Sequence, residues 1–506
     1  MGKVINKKLL ISSALFLIYG ALTFIGALNH EIWFDEAQAW NIARDNDIAG
    51  IVGMMKYEGH PPLWHFILYP FAHLGFSVDV IPLISWAFMT VTAALVLFVL
   101  PLSLPLKTAV VFSGGFIFTN SVVSRSYCLV PFLLCLIAIV YKNRRKRPVL
   151  FGLLVALLAN THVCFSGMVG ILGIFMIAEL IKEWKASSVK ENLSRVAGLL
   201  ISGAGVLMLV LPLLSSLSTN SVTAEMQLGL SQIIGSVVNS PFKVSLYGVS
   251  VSGENGIYAS LACVAVQFCM LGMLILLRRY RRAFIIQLTF LLIYIITGEV
   301  IFYTNANRAA IVLFSFVFVL CIAMGEKPVE KKAEKIKTDT NIIGTLFSTL
   351  SKLDKNALKR YEVLLTAVML MTAPTAAIHL IRDYTEQFCP AKKAAEFIAA
   401  ELPANAVYVT ESDSLPQLSA YYPDIKLYSL QHGEFYTYTS HRVVDGELDY
   451  AETEKDLAEY ENIYRINVVD MGEDMTPDEN KLFVIREGME WYANIDYIDI
   501  SPYELS

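Results

Sequence analysis

The chain is 506 residues long, 55% hydrophobic and 17% charged, with a mean hydropathy of +0.53. Soluble domains carry about 25% charged residues, so the composition excludes a single large soluble core, a disordered chain and a coiled coil, and points to a polytopic membrane protein. Lys+Arg 40 against Asp+Glu 45 leaves a net charge of −5, which excludes a nucleic-acid binder. Seven cysteines, six of them in apolar runs and none in a CxxC or Cys/His metal spacing, do not suggest a disulfide framework.

The N-terminal MGKVINKK and the run LLISSALFLIYGALTFIGAL have the look of a signal peptide. No small-residue cleavage site precedes Trp33-Phe34, so residues 9–28 read as an uncleaved first span. A bilayer core of about 30 Å needs roughly 20 apolar residues per helix. Runs that meet or approach this length are 9–28, 80–100, 107–123, 126–141, 148–163, 165–181, 196–217, 257–277, 283–303, 308–324 and 361–381. The expectation is an α-helical polytopic membrane protein of about 11 transmembrane helices. Residues 61–76 are apolar too, but Pro61, Pro62 and Pro70 interrupt them, and they read as lying on the surface.

Basic residues set the orientation. With Met1 cytoplasmic, 26 Lys/Arg up to residue 381 fall inside and 5 outside (Arg44, Lys56, Arg125, Lys243 and Arg308). The expected organisation is a transmembrane region 1–324 with an external loop 29–79, a charged cytoplasmic linker 325–360, a last span 361–381 and an external domain 382–506. That last domain carries 9 Lys/Arg and 26 Asp/Glu, yet apolar segments recur in it. Helices at 391–402 and 450–462 alternating with strands at AVYVTES, KLYSL, IYRINVVD and KLFVIRE predict a small α/β domain without a Gly-rich phosphate loop. In the loop 218–256, Met226, Leu230, Ile233, Ile234, Val237 and Val238 share one helical face, the pattern of an interfacial helix.

Chemistry concentrates in the loop HEIWFDEAQAWNIARDNDIAGIVGMMKYEGHPPLWHF, which gathers Asp35, Glu36, Asp45, Asp47, Glu58 and His60 among Trp33, Phe34, Trp40 and Trp64. An aromatic belt with solvated acids is the plain alternative. Arginines on this side are scarce, and Arg125 and Arg308 sit at predicted outer ends of spans. There a guanidinium fork can hold phosphate or snorkel to headgroups. Arg44 is expected to pair with Glu36 or Asp47. His60, His65 and His162 with the acids leave a divalent metal open, although His60 reads better as a hydrogen-bonding loop residue. Glu299, at the edge of an apolar run, is a further candidate.

Asp35-Glu36 in FDEAQAW, followed by His60-Pro61-Pro62-Leu63, resembles the first external loop of GT-C superfamily membrane glycosyltransferases. The likeness is to the protein-mannosyltransferase-like group, glycosyltransferase family 39 and its bacterial relatives. Ser124-Arg125-Ser126-Tyr127 at the start of one span and Thr161-His162 near the end of another are similar to further elements of that group, and the resemblance covers roughly residues 1–325. Trp64-His65 stands where the mannosyltransferase pattern has Gly-Lys, and no sugar-binding repeat domain lies between spans.

The resemblance implies a sugar donor linked to polyprenyl phosphate, with no nucleic acid involved, and transfer on the outer face of the plasma membrane to a glycan, lipid or protein acceptor. Asp35 matches the catalytic position and is expected to be the base, with Glu36 orienting it or the acceptor. Arg125, Tyr127, His60, Glu58, His162 and Arg308 are expected to bind substrate. A base opposite the leaving group predicts inversion at the anomeric carbon. The competing expectation is a lipid or solute transporter or flippase, which typically has ionisable residues at the bilayer midplane and repeated halves. Neither feature is visible here.

Overall fold

The computed structural model describes residues 2–58, 60–219, 230–250, 256–297, 304–328, 356–386, 388–440, 455–469, 483–485 and 497–503. It is mostly helical, with a small C-terminal sheet. Seven of the described helical stretches are long and apolar enough to cross a membrane: Lys7–Asn29, Val80–Val99, Val163–Ala186, Val189–Ser215, Ile257–Leu277, Ala306–Met324 and Ala357–Thr385. Two shorter apolar stretches, Ser126–Tyr141 and Pro148–Ala159, lie among them.

In chain order the helices are α1 (Gly2–Asn29), α2 (Phe34–Asp45), α3 (Ile48–Glu58), α4 (Leu63–His73), α5 (Val80–Ala94), α6 (Leu104–Val111), α7 (Leu129–Tyr141), α8 (Pro148–Ala159), α9 (Ser166–Glu183) and α10 (Val189–Thr219). They continue with α11 (Leu230–Val249), α12 (Ile257–Leu277), α13 (Arg281–Thr297), α14 (Ala306–Met324), α15 (Ala357–Met371), α16 (Ala373–Thr385), α17 (Ala391–Glu401) and α18 (Pro416–Tyr421). α14 is buried along almost its whole circumference, as expected of a helix apolar on every side at the centre of a bundle. α1 instead leaves Leu10, Leu17, Ile18 and Leu28 exposed, a lipid-facing surface for a helix in a membrane.

Close backbone approach joins α8 to α10. A Cβ on Gly152 would lie 2.0 Å from the Gly198 carbonyl oxygen, and one on Gly198 would lie 2.3 Å from that of Pro148. Small residues permit this contact, and dispersion over the matched surfaces rewards it.

The predicted span 107–123 is not one helix. α6 stops at Val111, a π-helical turn occupies Gly115–Thr119, and the chain is irregular through Ser124. The reason is a crossing with the last span, which itself breaks at Thr372 between α15 and α16. The Gly114 amide donates to the Thr372 hydroxyl at 3.0 Å, and a Cβ on Gly114 would meet the Thr372 carbonyl oxygen at 2.7 Å. An inserted side chain and a glycine at the contact are ordinary causes of helix interruption.

α4 covers the proline-interrupted run 61–76. Its 11 residues reach about 16 Å at 1.5 Å per residue, too short to cross a bilayer. The interfacial helix expected in 218–256 is longer than predicted, since α11 runs to Val249 and packs against α12, α13 and α14. Ile234, Val237 and Val238 do form its exposed face, while Met226 lies outside the described residues, as do Glu299 and linker residues 329–355.

The C-terminal domain is a mixed six-stranded sheet of β1 (Val407–Thr410), β2 (Lys426–Ser429), β3 (Glu434–Tyr436), β4 (Ile463–Val469), β5 (Phe483–Ile485) and β6 (Tyr497–Pro502), in the order β3-β2-β1-β4-β6-β5. β1 runs parallel to β2 and β4, and the outer pairings are antiparallel. The predicted strands and the helix at 391–402 are present as β1, β2, β4, β5 and α17. Of the predicted helix 450–462, the described part is helical only at 455–457. Its core is continuous with one end of the bundle: Ile117, Phe118, Val122 and Leu380 pack with Phe388, Ala394, Ile398, Leu418 and Ile500.

Candidate functional site

The bundle end beneath the sheet domain gathers residues from six distant segments. α2 begins with Asp35 and Glu36 in its first turn, where carboxylates favour the helix dipole. Glu36 closes the turn by accepting from the Trp33 amide at 3.1 Å, half of a capping box. Its carboxylate is fully buried. It meets His30 Nε2 at 3.0 Å and accepts from the backbone amide of Ser124. One side chain thereby fixes the start of the helix that carries Asp35 and the segment that carries Arg125.

His30 is buried between two carboxylates, with its Nδ1 at 3.2 Å from Asp383 of α16. Burial opposes the imidazolium, but the adjacent Glu36 and Asp383 charges outweigh it and hold the His30 pKa up to about 10. Glu31 accepts from the Cys389 amide at 3.0 Å, and burial raises its pKa. The loop between α1 and α2 is thus tied to the end of the last span.

Asp35 and Arg125 form an ion pair, with Arg125 Nη1 2.5 Å from Asp35 Oδ2. The Arg125 guanidinium also lies 5.8 Å from the Trp33 ring centroid and 5.2 Å from that of Tyr127, within cation–π range. Arg308, on the first turn of α14 and buried, donates from Nε to the Tyr127 hydroxyl at 3.1 Å. The Asn305 side chain caps that helix by accepting from the Arg308 amide at 3.0 Å.

His162 packs on Tyr127 with ring centroids 5.1 Å apart, and His60 packs on His162 at 5.6 Å. The Asn160 amide, which donates to the Gly205 carbonyl of α10 at 3.0 Å, sets the turn after α8 that presents His162. His162 Nδ1 accepts from the Cys164 amide at 3.1 Å. Burial, then the charges of Arg308, His60 and Arg125, push its pKa well down. It is therefore neutral, and with Nδ1 accepting, its proton sits on Nε2.

Asp35, Arg125, Tyr127, His162, His60 and Arg308 therefore converge in one cluster. Glu36 stands behind them as a buried brace rather than a second group facing the cluster. Glu58, at the end of α3, accepts from Gln38 of α2 at 2.8 Å. Arg44 corrects the expectation for it: it pairs with Asp45 at 2.6 Å and donates to the Ser419 carbonyl at 2.7 Å. The expected partners are engaged elsewhere. Glu36 holds His30, and Asp47 accepts from the Gly50 amide at 2.7 Å to start α3.

His65 is separate, buried on α4, and neither ring nitrogen has a hydrogen-bond partner among the described residues. Burial lowers its pKa to about 4. No group of three or more His, Cys, Asp or Glu side chains converges as a metal site among the described residues.

His30 and Asp383 escaped the sequence reading. The usable signal was two ionisable residues at the ends of the first and last apolar runs. Arg144, Arg145, Arg195 and Arg282 lie at the opposite end of the bundle, paired with Glu179 and Glu183. The two ends are thus chemically distinct. No protein-family model matches the sequence, and none of the curated proteins matches it.

Proposed function

We propose that the chain is a multi-pass glycosyltransferase of the plasma membrane. It moves a hexosyl or pentosyl unit from a polyprenyl-phosphate-linked donor to an acceptor hydroxyl, in the manner of the GT-C enzymes its first loop resembles. The observation that carries this reading is the meeting of a partly buried carboxylate, Asp35, with two arginines and a neutral histidine at one end of an apolar helix bundle. In this reading the N-terminus is cytoplasmic and the sheet domain external. The Lys/Arg-rich end of the bundle and the net-acidic sheet domain support that orientation.

The chemistry follows from the positions. An Asp35 oxygen takes the proton of the acceptor hydroxyl, the acceptor oxygen bonds to the anomeric carbon, and the bond from that carbon to the phosphate oxygen breaks. The electron pair leaves with the phosphate, whose charge Arg125 and Arg308 neutralise, while His162 Nε2–H donates a hydrogen bond without adding charge. A single displacement of this kind inverts the anomeric carbon. Arg125 has a second role, because donor phosphate competes with Asp35 for its guanidinium. Donor binding then releases the carboxylate for base duty, so transfer waits for donor.

The test is purified protein in lipid nanodiscs with a panel of radiolabelled polyprenyl-phosphate sugars and extracted membrane acceptors. Labelled product from wild type and none from Asp35→Asn is expected. Movement of unmodified lipid-linked sugar across proteoliposomes, with no product formed, would replace the transferase with a transporter or flippase.

A further inference from the structure

A second concavity lies away from the Asp35 cluster, between α3 and the sheet domain. Its volume is about 590 Å³, the size of a small-ligand pocket. Its walls mix aromatic rings (Tyr57, Phe435, Tyr438, Tyr460) with the carboxylates of Asp45 and Asp413. Phe435, on edge strand β3, is 45% exposed although it is a large apolar ring, and Tyr460 packs against its edge at 6.0 Å between centroids. The polar groups are held in place. Asp45 accepts from the Thr437 hydroxyl at 2.6 Å, and Asp413 accepts from the Ser440 amide at 2.6 Å with His432 Nε2 at 3.4 Å.

We infer that this cleft binds the acceptor, and that the acceptor is an oligosaccharide. The inference rests on the transferase reading for its purpose, but the chemistry of the lining stands alone. Sugar rings offer apolar C–H faces that lie on the electron-rich faces of Tyr and Phe, flanked by hydroxyls that donate to carboxylates. Asp45 is paired with Arg44, and Asp413 and Glu434 share the lining with Lys426, so the cleft carries little net charge and suits a neutral ligand. Strand addition by a peptide needs an extended free edge, and β3 offers three residues.

The placement is also directional. Asp45 closes α2 and Asp35 opens it, so the cleft lies about 15 Å along a rigid helix from the reacting carboxylate, at roughly 1.5 Å per residue. That distance is within reach of a short oligosaccharide anchored in the cleft with its growing end at Asp35. The helix sets which sugar of the chain is extended.

The experiment uses the full chain in nanodiscs on an array of defined neutral and amino-sugar oligosaccharides, with a set of Lys/Arg-rich peptides alongside. Hits are quantified by calorimetry on wild type, Phe435→Ala and a Gly203→Ala control outside the cleft. Binding of at least one oligosaccharide is expected, weakened roughly threefold to tenfold by Phe435→Ala, the loss of one aromatic stacking contact, and unchanged by Gly203→Ala. Oligosaccharide binding without any transfer would keep the cleft and remove the transferase. Transfer with no oligosaccharide bound, or with acceptor KM unmoved by Phe435→Ala, would remove the cleft and keep the transferase. Binding of the basic peptides alone would overturn the assignment of ligand class.

Discussion

His30 and Asp383 are 353 positions apart in the chain and meet at 3.2 Å, so the end of the first membrane-length helix is bonded to the end of the last. Through Glu36 the same imidazole reaches the turn that carries Asp35. Removing Asp383 as Asn keeps the shape but takes one charge from a buried pair, which typically costs 3–5 kcal/mol. Asp383→Asn should lower the thermal midpoint in detergent and reduce turnover together. Unchanged thermal stability would show that the bond does not hold the site.

The same cluster predicts a pH dependence. His30 is free to titrate near 6.5 when unfolded and is held up to about 10 in the fold. Its contribution is therefore full below about pH 6.5 and is lost as pH rises through about 10. The magnitude is on the order of a few kcal/mol. Thermal melts from pH 6 to 10.5 should fall more steeply for wild type than for His30→Gln, and parallel curves would refute the linkage.

Asp35→Asn is nearly isosteric and removes only the basic oxygen. Transfer should fall by at least a factor of about 100 while donor binding persists. Donor affinity should if anything rise, because Arg125 loses its competing carboxylate. Near-normal turnover would move the base role to Glu58, which is bonded to α2 through Gln38.

Arg125→Lys keeps the charge and loses the fork, and Arg125→Ala loses both. Activity and affinity for a non-hydrolysable polyprenyl-phosphate analogue should fall in the order Arg, Lys, Ala. If Lys equals Arg, the residue contacts headgroups only. Equal analogue affinity with reduced turnover would instead confine Arg125 to the transition state.

Gly198→Ala places a methyl 2.3 Å from a backbone oxygen of α8, whereas a methyl on Gly203 of the same helix meets nothing within 4 Å. The first substitution should destabilise by about 1–3 kcal/mol, and the second should be neutral or slightly stabilising. Unfolding midpoints of the two variants measure the contrast directly.

Apolar length alone placed most of the bundle, and the run 257–277 coincides with α12 residue for residue. The failure at 107–123 has a clear cause. Its break depends on Thr372, 258 positions away, and no local pattern carries that contact. Arg125 and Arg308 were legible as candidates because few cations stand at the predicted outer ends of the apolar runs. Their shared neighbour Tyr127 was readable only as part of a motif. The Glu36 carboxylate was legible as a candidate but not as a buried brace, since burial is decided by Ser124 and His30 folding over it. The oligosaccharide cleft was invisible, because Tyr57 and Phe435 come from segments that nothing in the sequence connects.

α2 has a consequence for synthesis. Asn41 donates to the carbonyls of Pro416 and Thr437, Gln38 donates to that of Thr439, and Arg44 holds Ser419. The helix bearing Asp35 leaves the ribosome early, and these partners leave it almost four hundred residues later. Contacts this distant in sequence form last and slowly. A nascent or prematurely terminated chain therefore carries Asp35 on a helix that lacks its frame until the sheet domain arrives.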